Sequence, residues 1–319
     1  MRQYPYLKPA NSPFVDRFIT KAGDLIEAWD GREAGDVGIV GVPLSKSSIS
    51  HSGAAFAPGS IRKALRAFST YSMEEDLDLN DVRITDFGDI QMHITDIMES
   101  QQRIERVLYE IFAGHRESLP IILGGDHSTS FPSISAFTKA NGRVGIIQFD
   151  AHHDLRNLED GGPSNGTPFR SLVEKNIIEG TQLVQIGIRD FSNSREYRDY
   201  ADEQGVTVYT MKDVRERPIV ELVNEGLKKL SDKVDAVYVS VDMDVLDQAH
   251  APGCPAIGPG GMDSQTLLEA VSYLGGQTNV KAMDIVEIDP TVDFRDMTSR
   301  TAAHVILQFL KGKRIGGLL

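Results

Sequence analysis

Residues 144–156 read VGIIQFDAHHDLR. The apolar run at the front has the pattern of a strand buried in a parallel sheet. The polar residues behind it stand where open α/β sheets bind ligands, at a strand's carboxyl end. Seven more Val- and Ile-rich runs follow this plan: DVGIVGVPL (36–44), VRITDFGDI (82–90), SLPIILGG (118–125), QLVQIGIRD (182–190), VTVYTM (206–211), VDAVYVSVD (234–242) and VKAMDIVEID (280–289). Helix-like stretches separate them at 58–68, 96–114, 195–205, 220–232 and 264–276, with a last one at 298–312. Asp263 or Ser264 caps the fifth, which closes at Gly275. Alternation of this kind predicts βαβ units, a mostly parallel sheet and helices on both faces. No repeat or linker divides the chain, so residues 1–319 are expected to form one domain. The segment NLEDGGPSNGTP (157–168) is a turn-forming loop by composition.

Composition narrows the class. The net charge is −13, from 33 basic and 46 acidic residues. That balance argues against a nucleic-acid partner, which needs a basic face. No apolar run approaches the ~20 residues of a membrane span. The start, MRQYPYLKPANSPFVDRF, lacks the apolar core of a secretory leader. One cysteine makes no intramolecular disulfide and no Cys-rich zinc module. A cytoplasmic protein without a membrane partner is expected.

Four strand ends carry acids and histidines. They read GGDHS (124–128), DAHHDLR (150–156), DMDVLD (242–247) and Glu287 within EIDP. Singly, each has an ordinary explanation, as a turn, a cap or an Asx-turn. Together they crowd carboxylates that would take up protons unless a cation compensates. On an extended segment alternate side chains share a face, so Asp150, His152 and Asp154 converge, as do Asp242 and Asp244. With His127 these make four carboxylates and two imidazoles. The mix suits Mn²⁺, with Zn²⁺, Fe²⁺ or Ni²⁺ as alternatives. Two such ions about 3.5–4 Å apart activate water, which implies hydrolysis. His153 points to the opposite face and is expected to pack or support. Asp126 and Asp247 are expected to orient ligands. Cys254 and the glycines of GPGG (258–261) are expected to be ordinary loop residues.

These motifs, with GAAFAPGSIRKAL (53–65), AHAPG (249–253) and MDIVEIDP (283–290), resemble the ureohydrolase (arginase/agmatinase) superfamily over most of the chain. The resemblance implies a three-layer α/β/α fold and two Mn²⁺ per chain. It places one ion on His127, Asp150, Asp154 and Asp242, and the other on His152, Asp150, Asp242 and Asp244. Asp154 would then relay a proton, and Glu287 would grip a cationic amidine or guanidine. Arginases and agmatinases carry a His-Gly where this chain has SNGTPF (164–169), with Asn165 in the histidine's place. With DAHHDLR, that looks like the formimidoylglutamase branch, which implies cleavage of N-formimidoyl-L-glutamate to L-glutamate and formamide in histidine degradation. The alternative is a guanidine hydrolase of agmatinase or guanidinobutyrase type, which releases urea. From another class, a metal-binding regulator without catalysis is the competing reading. Arg156, Arg170, Arg189 and Arg195 are the candidates for the substrate's carboxylates, with Arg189 foremost and 189–200 as specificity loop. Asn165 is placed beside the substrate. The resemblance also implies a homo-oligomer.

Overall fold

The computed structural model describes residues 5–8 and 14–319. Residues 1–4 and 9–13, part of the start read above as lacking a leader's apolar core, lie outside them. Among the described residues eleven strands form: β1 (Ile26–Ala28), β2 (Val37–Gly41), β3 (Tyr71–Ser72), β4 (Leu77–Asp78), β5 (Ile84–Asp89), β6 (Leu119–Leu123), β7 (Val144–Phe149), β8 (Leu183–Ile188), β9 (Thr207–Thr210), β10 (Ala236–Asp242) and β11 (Val280–Val286). The helices are α1 (Ala57–Leu65), α2 (Ile97–Gly114), α3 (Ser130–Asn141), α4 (Pro168–Glu174), α5 (Arg195–Glu203), α6 (Met211–Glu216), α7 (Ile219–Leu230), α8 (Ser264–Gly275) and α9 (Met297–Ile315). Nine strands make one sheet in the order β1-β5-β2-β6-β11-β10-β7-β8-β9, while β3 and β4 pair apart. Every pairing in the large sheet is parallel.

Period-two alternation sorts the core into two layers. Ile147, Phe149, Val237, Val239, Val241, Met283 and Ile285 face α1, α7, α8 and α9. Ile146, Ala236, Tyr238 and Ala282 face α2, α3, α4 and α5. This is the expected α/β/α sandwich, with all eight anticipated strands in the sheet.

Caps fix the helix starts. Asp96 accepts a hydrogen bond from the Glu99 N–H at α2, and Asp263 one from the Thr266 N–H at α8. Three helices escape the sequence pattern. In α3 every residue from Ser130 to Phe137 is buried, so no polar face marks the helical period. Pro132 and three serines further lower its propensity. Helices α4 and α6, at seven and six residues, are too short to show a period. Strand β1 is a three-residue edge with the same problem.

Register positions the site. Leu123, Ile285, Val241 and Phe149 lie level across β6, β11, β10 and β7. The residues that follow them therefore emerge side by side from four adjacent strands. Strands β6 and β7 are consecutive along the chain, yet β11 and β10 lie between them. Such a reordering opens a crevice at the carboxyl edge.

Candidate metal centre

Loop chemistry aims each side chain. After β6, the chain passes so close to the loop following β2 that a Cβ on Gly125 would lie 1.8 Å from the Leu44 carbonyl oxygen. Only glycine fits there. Asp126 then caps a short turn, accepting from the Ser128 N–H at 3.0 Å and from the Ser47 hydroxyl. That turn delivers His127 into the sheet's upper edge. Asp154 and Glu287 both adopt left-handed backbone, with φ of 50° and 60°. Non-glycine residues pay strain for this conformation, and such strain gathers at functional sites.

Two groups of ligand atoms result. His127 Nδ1 lies 2.8 Å from Asp154 Oδ2 and 3.1 Å from both Asp150 Oδ2 and Asp242 Oδ2. His152 Nδ1 lies 3.0 Å from Asp244 Oδ2 and 3.5 Å from Asp150 Oδ1. Asp150 belongs to both groups. Asp242 belongs to the first only; its other oxygen accepts from the Asp244 N–H at 2.8 Å. Asp150 Oδ1 is placed alike, accepting from the His152 N–H at 2.6 Å, and each such oxygen keeps a lone pair for an ion. Carboxylate oxygens and imidazole nitrogens without a thiolate fit a hard-to-borderline divalent cation.

Electrostatics agree. Burial pushes the His127 imidazole down, but the close carboxylates of Asp150, Asp154 and Asp242 lift it well above its ordinary range. His152, also opposed by burial, is pushed up to about 12 by Asp244 and Asp150. Burial, then the charge of Asp150, raises Asp154 to about 6. Protons and a divalent cation compete for the same carboxylate oxygens, so metal binding here releases protons.

Glu287 closes one side. Its Oε1 accepts from the His127 N–H at 2.8 Å and from Asn165 Nδ2 at 3.1 Å. Its Oε2 is buried without a partner. Burial, then Asp126, raises its carboxyl to about 8. Asn165 Oδ1 accepts from the Ile49 N–H at 3.0 Å. The amide thus ties Glu287 to the 47–49 loop, although the residue also faces a cavity of about 410 Å³.

The four arginines divide. Arg156 lines that cavity, is exposed, and has no hydrogen bond or ion pair on its guanidinium among the described residues. The other three do not line it. Arg189 is buried and donates to the carbonyls of Asp244 and, at 3.2 Å, Leu246. It braces the loop that carries Asp244, its guanidinium engaged by backbone carbonyls. Arg170 pairs with Glu174 and lies over the Tyr200 ring at 3.6 Å. Arg195 is exposed on α5, 3.7 Å from Asp199. The segment 189–200 does reach the cavity, but through Ser192, Asn193, Ser194 and Tyr197. Arg189→Ala is expected to lower stability by about 2 kcal/mol, the cost of stranding backbone acceptors from a charged donor. Thermal melting checks this; an unchanged melt with a raised KM would return Arg189 to substrate binding.

Other residues settle simply. His153 lies outside both groups, its Nδ1 2.6 Å from Gln185 Oε1. Asp247 accepts from the N–H groups of Ala249, Gly260 and Gly261, so it ties a loop and orients no ligand. The GPGG stretch is that loop. Cys254 is buried, and burial raises its thiol, which suits a packed residue and not a nucleophile.

Sequence reasoning missed the supports beneath the cluster. Gln148 donates to Asp150 Oδ2 at 2.7 Å, and Gln185 donates to Gln148 at 2.7 Å. Ser240 and Asp284 lie beneath His127. The signal was present: each is a polar residue inside an otherwise apolar strand.

The arginase family model matches residues 35–311. The chain belongs to the arginase family. This arginase-family chain is 64% identical over 315 residues to a formimidoylglutamase of Halalkalibacterium halodurans, covering 99% of each. The crystal structure of formimidoylglutamase from Bacillus subtilis superposes with a TM-score of 0.95 at 52% identity, over 98% of this chain and 97% of that one. An agmatinase of Bacillus subtilis is 34% identical over 282 residues, 88% of this chain and 92% of the relative.

Proposed function

We propose that this arginase-family chain is a two-metal hydrolase that converts N-formimidoyl-L-glutamate and water to L-glutamate and formamide. The observation that carries the chemistry is the pair of acid–histidine groups joined at Asp150, of which His152, Asp154, Asp242 and Asp244 line the cavity. Support for the substrate comes from near-full-length similarity to formimidoylglutamases, well above that to an agmatinase. His127, Asp150, Asp154 and Asp242 would hold one ion; His152, Asp150, Asp244 and, as the resemblance implies, Asp242 would hold the other. Two Mn²⁺ suit this donor set. When bound, such ions supply charge stabilisation and a water made nucleophilic at neutral pH.

The chain's own residues do the rest. Asp154 lines the cavity and accepts a proton from the attacking water, then hands it to the leaving nitrogen. Glu287 Oε2 is the free buried acceptor for the cationic amidinium. Asn165 holds Glu287 in place and has no proton to transfer. Arg156 offers the substrate's carboxylates an uncommitted guanidinium at the cavity wall. Arg156→Ala should raise KM about 10- to 100-fold with little change in kcat, the worth of a charge-assisted contact made equally in ground and transition states. Steady-state kinetics test this; an unchanged KM removes Arg156 from the binding site.

The metal requirement has its own test. Chelator treatment should abolish formamide release from N-formimidoyl-L-glutamate, and added Mn²⁺ should restore it. Turnover that survives complete chelation contradicts the reading. The proposal takes residues 1–319 as one domain, supported by a single large sheet whose strands run from 26 to 286. It also takes the chain as cytoplasmic and homo-oligomeric, the latter on family resemblance alone. No helix among the described residues is long and apolar enough to cross a membrane.

A further inference from the structure

Beneath His127 lies a buried polar chain that no residue of the reaction scheme explains. Asp284 sits within β11, almost fully buried. An isolated carboxylate at such a position is costly. Three hydroxyls converge on it: Ser130 Oγ donates to Oδ2 at 2.7 Å, Tyr238 Oη donates to Oδ2 at 3.0 Å, and Ser240 Oγ donates to Oδ1 at 2.7 Å. Ser240 and Asp284 are register partners on β10 and β11, so their side chains share a face. Ser240 Oγ also lies 3.1 Å from His127 Nε2.

Counting hydrogens fixes the direction of the chain. A serine hydroxyl has one hydrogen. Asp284 takes it, so Ser240 can only accept from His127. The Nε2 atom therefore carries the hydrogen of the neutral imidazole, and Nδ1 is the nitrogen whose lone pair is exposed once its own proton gives way to an ion. Nδ1 is the atom surrounded by Asp150, Asp154 and Asp242. It is buried and makes no well-aligned hydrogen bond.

We propose that Asp284, acting through Ser240, is a positioning residue that fixes the tautomer and ring orientation of His127 and so governs metal affinity at one of the two ion sites. The other group, Asp150, His152 and Asp244, receives nothing from this chain. Its shared carboxylate is steadied by Gln148 instead. The control is thus selective, and a strand-buried serine and aspartate earn their places at a distance from the substrate. The inference rests on the two-metal reading above.

The test is a Mn²⁺ titration of the full chain in five forms: wild type, Ser240→Ala, Asp284→Asn, Tyr238→Phe, and His127→Ala as the reference for loss of that site. Ions retained per chain and the Mn²⁺ electron paramagnetic resonance spectrum are read for each. Wild type and Tyr238→Phe should hold two ions. Ser240→Ala and Asp284→Asn should hold one as tightly as wild type and the second about 10- to 100-fold more weakly, the usual effect of losing a hydrogen bond behind a ligand. Their spectra at limiting Mn²⁺ should match that of His127→Ala. Ser240→Ala deletes a single oxygen and keeps the test open if Asp284→Asn does not fold. Two ions at wild-type affinity in Ser240→Ala would overturn the proposal, as would equal losses in Ser240→Ala and Tyr238→Phe. A wild type that binds fewer than two ions is a separate failure, of the two-metal reading itself.

Discussion

Asp150→Ala abolishes binding of both ions and lowers kcat/KM by at least roughly 10³-fold. Removing one transition-state donor from an enzyme costs about 10²- to 10³-fold, and here two whole ion sites lose a ligand together. The expectation comes from the position of one carboxylate. Asp150 Oδ2 faces His127 and Oδ1 faces His152, so each oxygen serves a different group. Asp150 is the residue common to both groups, whereas Asp242 falls in the first and Asp244 in the second. The variant should still fold, because the deletion relieves carboxylate crowding in a buried site. Metal analysis of the purified variant is the check. Two tightly held ions in Asp150→Ala would show that the groups are not joined there.

Glu287→Gln should keep both ions and lose roughly 30- to 4000-fold in kcat/KM. Truncating one partner of a buried, hydrogen-bonded charge pair costs about 2–5 kcal/mol, and every 1.4 kcal/mol is about a tenfold change. Glutamine preserves shape and leaves an acceptor for the His127 N–H. What it removes is the carboxyl that ionises opposite a cationic substrate, at a buried oxygen without a hydrogen-bond partner among the described residues. A cationic amidinium would be left facing a neutral amide. Kinetics together with metal content separate this from a binding-site collapse. Near-normal kcat/KM with two ions bound would remove Glu287 from substrate recognition.

The chain's eight apolar runs announced eight of the nine strands in the large sheet, because a strand buried on both faces leaves a continuous hydrophobic signature. What stayed hidden lacked a signature of its own. Helix α3 is buried all round through Phe137, and β1 is too short for a pattern. At the site, the six acid and histidine side chains were legible from strand-end position alone. Their pairing into two groups was not, since it depends on the level register of β6, β11, β10 and β7. The surroundings of the arginines were hidden for a related reason. Arg189 ends a strand at the correct edge, but whether a guanidinium meets a substrate or the chain's own carbonyls depends on how the 244–246 loop folds back. Asn165 lines the cavity, and its contact with Glu287 has no signature in the sequence.

The most direct measurement is product identity. Mn²⁺-loaded protein would be given N-formimidoyl-L-glutamate, agmatine and 4-guanidinobutyrate in parallel, with formamide and urea assayed in each. The account predicts rapid formamide and glutamate release from the first and little urea from the others. Urea released from agmatine or 4-guanidinobutyrate at a rate comparable to formamide would contradict it.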